Sequence, residues 1–213
     1  MTTTPPVPLR CVGRPLSGGL VVPWITLEHN GHVVFGAIDS RKRYLALTRR
    51  LCQICGQRLG DRIYLLVRPM DVDAGYIAEP AVHPECLRYA KQHCPMLNGQ
   101  ASHYRRSPLL AAHPAGRPCS DSHCPCPDTN SSGHEARSGQ PADDWDAWLI
   151  TPANYRLKTG PQDDLLGLDL DISVLKIRPI RRNRHVDIDE KLDLIWQLLG
   201  LPPRSGQGDD AEP

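Results

Sequence analysis

CQICGQRLGDRIYLLVRPMDVDAGYIAEPAVHPECLRYAKQHC, residues 52–94, carries two short pairs of metal-ligating side chains, and the rest of the chain is read around them. Cys52 and Cys55 form a C-x2-C pair closed by Gly56, and after 27 intervening residues His83 and Cys86 form an H-x2-C pair. The two-residue gap matters because a tight knuckle, or the first turn of a helix, then aims both side chains at one point. Four thiolate or imidazole ligands satisfy a tetrahedral zinc ion, so the spacing predicts a zinc site of Cys52, Cys55, His83 and Cys86. Between the pairs, DRIYLLVR at 61–68 is a β-branched and aromatic run of strand length bounded by Gly60 and Pro69. Pro84 suits the first position of a helix, Glu85 favours the positive end of its dipole, and residues 87–94 continue at helical spacing. Cys86 therefore falls on a helix N-terminus. Residues 69–80 include Asp71, Asp73, Gly75 and Glu79 but lack the spacing of a calcium loop, and they read as a solvated connection.

Knuckle, strand, then a helix whose first turn supplies the second ligand pair is an order that resembles a treble-clef zinc finger, over about residues 50–95. The resemblance implies metal-ligand roles for Cys52, Cys55, His83 and Cys86. It implies no particular activity, because folds of this class serve nucleic-acid binding, protein binding and nucleases alike.

Upstream, LVVPWITLEHNGHVVFGAI from Leu20 holds two β-rich runs around Asn30-Gly31, the dipeptide that best fits a type I′ hairpin turn. Trp24, Val33 and Phe35 are its expected core residues. Asp39 or Ser40 can cap a helix through RKRYLALTRR. Its expected inner face is Tyr44, Leu47 and Leu51, with Lys42, Arg43, Arg49 and Arg50 gathered opposite. Residues 1–19, with Pro5, Pro6, Pro8, Pro15 and the pair Gly18-Gly19, read as an irregular arm in which Cys11 has no ligand-type neighbour.

Downstream, His103, Tyr104, Arg105 and Arg106 form a basic segment of a kind that meets phosphate. Residues 107–142 are rich in Pro, Ser, Gly, Ala and Asp without a sustained period, and read as a mobile linker. Inside it, Cys119, His123, Cys124 and Cys126, with His134 close by, are a candidate second metal set. A C-x-C within a Pro-rich loop equally fits a soft-metal or redox patch. WDAWLITPANYRL and LLGLDLDISVLKIRPI read as two further strands; in the second, Leu166, Leu168, Leu170, Ile172 and Val174 alternate with a wet face that carries Asp169 and Asp171. Arg178, Arg181, Arg182 and Arg184 make a basic tract. An amphipathic helix is then expected over 187–200 with Ile188, Leu192, Ile195, Leu198 and Leu199 inward, stopped by Pro202-Pro203.

These elements define an α+β fold, with a treble-clef-like zinc module embedded in a small sheet with flanking helices. The expected organisation is an arm over 1–19, the hairpin, basic helix and zinc module over 20–106, the linker over 107–142, C-terminal strands and helix on the same core over 143–201, and a disordered tail over 202–213. With 21 Pro, 17 Gly and one Phe among 213 residues, part of the chain cannot bury enough apolar surface to order itself. No run approaches the length of a membrane span and MTTTPPVPLR lacks the apolar core of a secretory signal, so the chain is expected in the cytoplasm, where eight cysteines favour metal over disulfides. Charge is split: residues 1–118 carry 15 Lys and Arg against 7 Asp and Glu, and residues 119–213 carry 10 against 17. A nucleic acid or an acidic protein is the partner that such a basic first part would attract. No small-molecule substrate is evident. The function expected is a zinc-stabilised, non-enzymatic binding or regulatory protein; the alternative is a metal-dependent nuclease or hydrolase.

VVPWITLEHNGHVVFGAIDS, CQICG, HPECLRYAKQHCP, SHYRRSP and the strand at Trp145 to Leu149 together resemble an uncharacterised family of small proteins from high-GC Gram-positive bacteria and their phages. The resemblance covers most of the chain, and it implies no established activity.

Overall fold

A computed structural model of the chain describes residues 6–29, 32–104, 137, 139–183 and 198–199. It comprises one unit over Met1–Arg182 and a second over Asn183–Pro213. After a 3-10 turn at Leu9–Cys11, β1 (Leu16–Ser17) and β2 (Leu20–Val21) pair across Gly18-Gly19. β3 (Thr26–His29) and β4 (His32–Ile38) pair antiparallel with His29 opposite His32, the register of the expected two-residue hairpin. α1 (Ser40–Arg49) starts where the sequence expects, with the Asp39 carboxylate accepting the Lys42 N–H at 2.9 Å. β5 (Ile63–Val67) and the short α2 (Pro69–Ala74) and β6 (Tyr76–Ile77) lead to α3 (Pro84–His93), which Pro95 ends before α4 (Pro95–Asn98). β7 (Trp145–Ile150), β8 (Leu157–Thr159), β9 (Leu165–Asp169) and β10 (Lys176–Arg181) complete the first unit.

Among the described residues all strand pairs are antiparallel, and β5 is the pivot. It pairs with β7 in a three-stranded sheet of order β10-β7-β5, while β6, β9 and β8 form a second. Side chains alternate along β5. Tyr64 and Leu66 join a core with Leu87, Tyr89, Trp145 and Ala147, whereas Ile63, Leu65 and Val67 join another with Leu47, Ile77, Ile150 and Leu168. With both faces covered, all five residues of β5 are buried, which is why its sequence is a continuous apolar run rather than an alternation. Full burial of each Leu or Ile in these cores contributes about 1.5–3 kcal/mol.

Polar side chains tie the outer elements to this frame. The Val21 N–H donates to the Tyr89 hydroxyl at 2.9 Å, fixing β2 on α3. The Tyr155 hydroxyl donates to the Leu47 carbonyl at 3.0 Å, closing the end of α1. Arg181 donates to the carbonyls of Met96 and Ala101 at 2.7 and 2.8 Å, holding β10 to α4.

Several expectations change. Residues 69–80 are a solvated connection only in part: Met70, Val72 and Asp73 are exposed, but Pro69 opens α2, and the buried Asp71 carboxylate accepts the Arg68 N–H at 2.9 Å and pairs with the Arg68 guanidinium at 2.7 Å. In the β3–β4 hairpin the core residues are Ile25, Leu27 and Ala37, while Trp24 and Val33 are half-buried and Phe35 is 37% exposed. The register shift between Thr26 and Leu27 leaves residues 35–37 without partners on β3, which turns Phe35 outward. On α1, Tyr44 is exposed and Ala46 joins Leu47 inside. Arg43 is one turn from Leu47 and so shares its inward side. The run at 165–180 is two strands rather than one, broken after Asp169; Asp169 itself faces Arg156 and Lys158 at 3.6 and 3.7 Å, as a wet face would. Leu198 and Leu199 are exposed rather than inward. The rest of the expected helix, the tail over 202–213 and the whole of the 105–136 stretch lie outside the described residues.

Candidate metal centre

The C-x2-C pair sits in a knuckle between α1 and β5. The Cys52 N–H donates to the Gln57 carbonyl at 2.8 Å and the Gly56 N–H to the Cys52 carbonyl at 2.9 Å, a tight reversal that needs φ +75° at Gly56. Glycine is required there twice over, because a Cβ would also lie 2.6 Å from Cδ1 and Cγ of Trp24. The knuckle backbone is held from both sides. Trp24 and Ile25 donate to the carbonyls of Ile54 and Gln53 at 2.9 and 3.1 Å, and the Gln53 N–H donates to the Ala81 carbonyl at 3.1 Å.

The second pair is delivered by the same strand. Val82 exchanges both backbone hydrogen bonds with Tyr64 of β5, at 2.9 and 3.0 Å, so the next residue, His83, is fixed as the N-cap of α3 and Cys86 follows in its first turn. Pro84 and Glu85 occupy the positions expected for them. The helix N-terminus presents partial positive charge to the cluster, which favours negative charge among its sulfurs.

Cys52, Cys55, His83 and Cys86 meet with their ligand atoms all within 4.8 Å of one another, and all four residues are buried. His83 Nδ1 is 3.4 Å from Cys55 Sγ and 4.0 Å from Cys86 Sγ. An ion about 2.3 Å from sulfur and about 2.0–2.1 Å from nitrogen in a tetrahedron places its ligand atoms about 3.5–3.8 Å apart. The cluster fits such an ion. The far side of the imidazole fixes the tautomer that a bound ion would need: Nε2 lies 2.9 Å from the Arg58 carbonyl and donates to it, so that Nδ1, once deprotonated, turns its lone pair to the sulfurs. Burial penalises the imidazolium, but hydrogen bonds to Cys52 and Cys55 outweigh it and raise His83 to about 10. Hydrogen bonds with Cys52 and then Cys86 hold Cys55 far below the usual thiol range, while hydrogen bonds with Cys52 and then Cys55 push Cys86 upward.

Other sequence-derived candidates are placed separately. Lys42 is paired with Glu28 at 3.0 Å and donates to the Thr26 carbonyl at 3.2 Å. Arg43 turns inward, its Nε donating to the Ala78 carbonyl at 2.6 Å and its Nη2 to the Leu166 carbonyl. Arg49 and Arg50 are exposed at the end of α1; Arg50 lies over the Tyr155 ring at 5.2 Å and leads directly into the knuckle. Tyr104 is half-buried and donates to Asp143 at 2.7 Å. His103 is exposed beside Ser102. Arg105, Arg106, Cys119, His123, Cys124 and Cys126 lie outside the described residues.

The sequence reading missed what the N-terminal segment does. Cys11, 1% exposed, is packed into the core that holds Cys52, Cys55 and Cys86. Arg10 donates through Nε to Glu85 and through Nη1 to Gln57 at 3.0 Å, and Gln57 Nε2 donates back to the Arg10 carbonyl at 3.1 Å. Forty residues separate Cys11 from Cys52 in the sequence, and no local spacing links them.

No protein-family model, curated protein or solved structure matches the chain. Among the described residues, no helix is long and apolar enough to cross a membrane.

Proposed function

We propose that the chain is a zinc-stabilised binding or regulatory protein, in which a structural zinc held by Cys52, Cys55, His83 and Cys86 fixes a treble-clef-like module and takes no part in catalysis. The observation that carries this reading is the convergence of four buried ligand atoms within 4.8 Å. Three thiolates and an imidazole are a zinc set by their softness and geometry, and four protein ligands leave no coordination position for water or substrate. Free thiolate ligands suit a reducing compartment. The resemblance to small proteins of high-GC Gram-positive bacteria and their phages adds no activity to this reading. For the partner, Arg49 and Arg50 are the exposed basic pair carried by α1 into the knuckle, so the metal would hold their guanidinium groups in a fixed place for phosphate or carboxylate.

Elemental analysis of the purified protein tests the metal: about one zinc per chain is expected, and a Cys86→Ser protein with unchanged zinc and unchanged folding would refute the site. A salt titration tests the partner. Nucleic-acid affinity that falls steeply with salt, and falls further in an Arg49→Ala, Arg50→Ala protein, supports a phosphate partner through counterion release. No affinity at low salt would leave an acidic protein as the partner to seek.

A further inference from the structure

The four ligands come from two segments, the knuckle and the start of α3, and the ties between these segments are uneven. The His83 end is stitched by backbone. The Gln53 N–H donates to the Ala81 carbonyl at 3.1 Å, Val82 is bridged to Tyr64 of β5, and His83 Nε2 donates to the Arg58 carbonyl at 2.9 Å. At the Cys86 end, among the described residues, no backbone hydrogen bond crosses from the first turn of α3 to the knuckle. What crosses there is Arg10 of the N-terminal segment. Its Nε donates to Glu85, next to Cys86, and its Nη1 donates to the Gln57 side chain at 3.0 Å. Gln57 returns a bond from Nε2 to the Arg10 carbonyl at 3.1 Å, and its own carbonyl accepts the Cys52 N–H at 2.8 Å. A chain of contacts therefore runs from Cys52 through Gln57, Arg10 and Glu85 to Cys86. Arg10 is held in place for this. Its neighbour Cys11 is buried in the same core with Val7 packed against it, the Cys11 N–H donates to the Pro8 carbonyl at 2.7 Å, and the Arg14 guanidinium donates to the Val22 carbonyl at 3.0 Å.

We propose that residues 7–14 are a strap that retains the ion, with Arg10 as the positioning residue that holds the Cys86 end of the site against the knuckle. The inference rests on the metal reading above and adds to it the order in which the site comes apart. A buried ion leaves only when one ligand-bearing segment parts from the other. The His83 end is fixed by backbone bonds that open only with β5, so the Cys86 end is the one free to part. The Arg10 and Glu85 side chains are each 42% exposed, so water can compete for this pair and the clamp can open locally while the cores stay packed. Arg10 lets go first, Cys86 leaves next, and Cys52, Cys55 and His83 follow. A segment that supplies no ligand thus governs how fast zinc exchanges with an outside chelator.

The test uses the full-length, zinc-loaded chain as wild type, Arg10→Ala, Gln57→Ala and Arg182→Ala. Gln57→Ala cuts only the knuckle arm of the clamp, and Arg182→Ala removes an ion pair with Asp146 of β7 that touches neither ligand segment. Transfer of zinc to an excess of chromophoric chelator gives the release rate. Alkylation by iodoacetamide during release, mapped by peptide mass spectrometry, gives the order in which the ligand cysteines come free. Expected is release about tenfold faster in Arg10→Ala, the size of effect that follows loss of hydrogen bonds from a charged group in a partly exposed place. Gln57→Ala should be accelerated less, Arg182→Ala should keep the wild-type rate, and Cys86 should be modified before Cys52 and Cys55 in every protein. Wild-type release in Arg10→Ala, or simultaneous modification of the three ligand cysteines, would overturn the inference. Should Arg10→Ala fail to fold or load, Gln57→Ala carries the same comparison against Arg182→Ala. A wild type that takes up no stoichiometric zinc would overturn the metal reading and this inference together; a loaded wild type whose release ignores Arg10 and Gln57 would overturn this inference alone.

Discussion

The two faces of the β10-β7-β5 sheet are built on different principles. One packs Tyr64, Leu66, Leu87, Tyr89 and Trp145 around a knot of cysteines, and the other packs Ile63, Leu65, Val67, Ile77, Ile150 and Leu168 with no sulfur among its fully buried members. The aliphatic face is held by apolar burial, which needs no particular chemical condition beyond water. The sulfur face holds four ionisable ligands that can be packed together only if an ion or shared protons neutralise them. A single strand, β5, serves both, so whatever loosens one face is felt by the other.

Metal removal should produce the largest effect. Structural zinc contributes roughly 10–16 kcal/mol of apparent binding free energy in small zinc-dependent domains, against a total stability of about 5–15 kcal/mol for a typical domain. Stripping the ion with a chelator should abolish or drastically lower the thermal transition, followed by circular dichroism; an unchanged transition would mean that the two faces do not differ in kind. The dependence on pH has a definite sign. In the metal-free protein the raised His83 value, about 10 against an ordinary 6.5, contributes stability that is complete below about pH 6.5 and is lost as pH rises towards 10. The loaded form needs neutral imidazole and thiolates and gains as protons leave. The gap in melting temperature between loaded and stripped protein should therefore widen between about pH 6 and about pH 8.

Next in size is the buried pair on the sulfur side. Arg68 and Asp71 are each 5% exposed and joined by two hydrogen bonds of 2.9 and 2.7 Å, with the guanidinium 5.2 Å from the centre of the Trp145 ring. Asp71→Ala removes both hydrogen bonds from a buried cation, leaving it only the charge of Glu79, and should cost about 3–5 kcal/mol in urea unfolding of the loaded protein. Replacing both residues, Arg68→Met with Asp71→Leu, should recover most of that loss. A double variant as unstable as the single one would show that the pair does more than neutralise itself.

On the aliphatic side, Leu65→Ala should cost about 2–5 kcal/mol, since Leu65 is fully buried at the centre of β5 and the site can collapse only partly. Zinc content should stay at the wild-type value. Loss of metal in this variant would erase the distinction between the faces.

The sulfur face was the more legible of the two in the sequence, and only in part. C-x2-C and H-x2-C are local spacings fixed by a knuckle and a helical first turn, so Cys52, Cys55, His83 and Cys86 could be paired without knowing the fold. The Asp39 cap, the register around Asn30-Gly31 and the continuous apolar run of β5 were equally local. Arg10 and Cys11 were not, because what brings them to Glu85, Gln57 and Cys86 is tertiary packing across a long sequence separation. Arg43 and Tyr44 exchanged their expected places for another reason. An arginine can leave water when backbone carbonyls such as those of Ala78 and Leu166 receive its N–H groups, and hydrophobic patterning counts it as polar whatever its partners. Asp71 hid in the same way, as a charge whose partner was three residues off and buried with it.

The smallest effect expected is also a direct comparison, since each face is tied by one buried tyrosine hydroxyl. On the sulfur side the Tyr89 oxygen accepts the Val21 N–H at 2.9 Å; on the aliphatic side the Tyr155 hydroxyl donates to the Leu47 carbonyl at 3.0 Å. Tyr89→Phe strands a buried backbone N–H, a group that proteins almost never leave unpaired, at a cost of about 1–3 kcal/mol. Tyr155→Phe strands a carbonyl, which is under-satisfied more often and has two lone pairs with which to find another donor, and should cost about 0.5–1.5 kcal/mol. Burial pushes the Tyr155 hydroxyl upward, so the bond it donates should persist through the alkaline range where an exposed tyrosine would ionise. Urea unfolding of the two loaded variants decides the order: a larger loss at Tyr155 would mean that the attachment of α1 to the aliphatic face, rather than that of β2 to α3, is the tie whose polar group has no substitute.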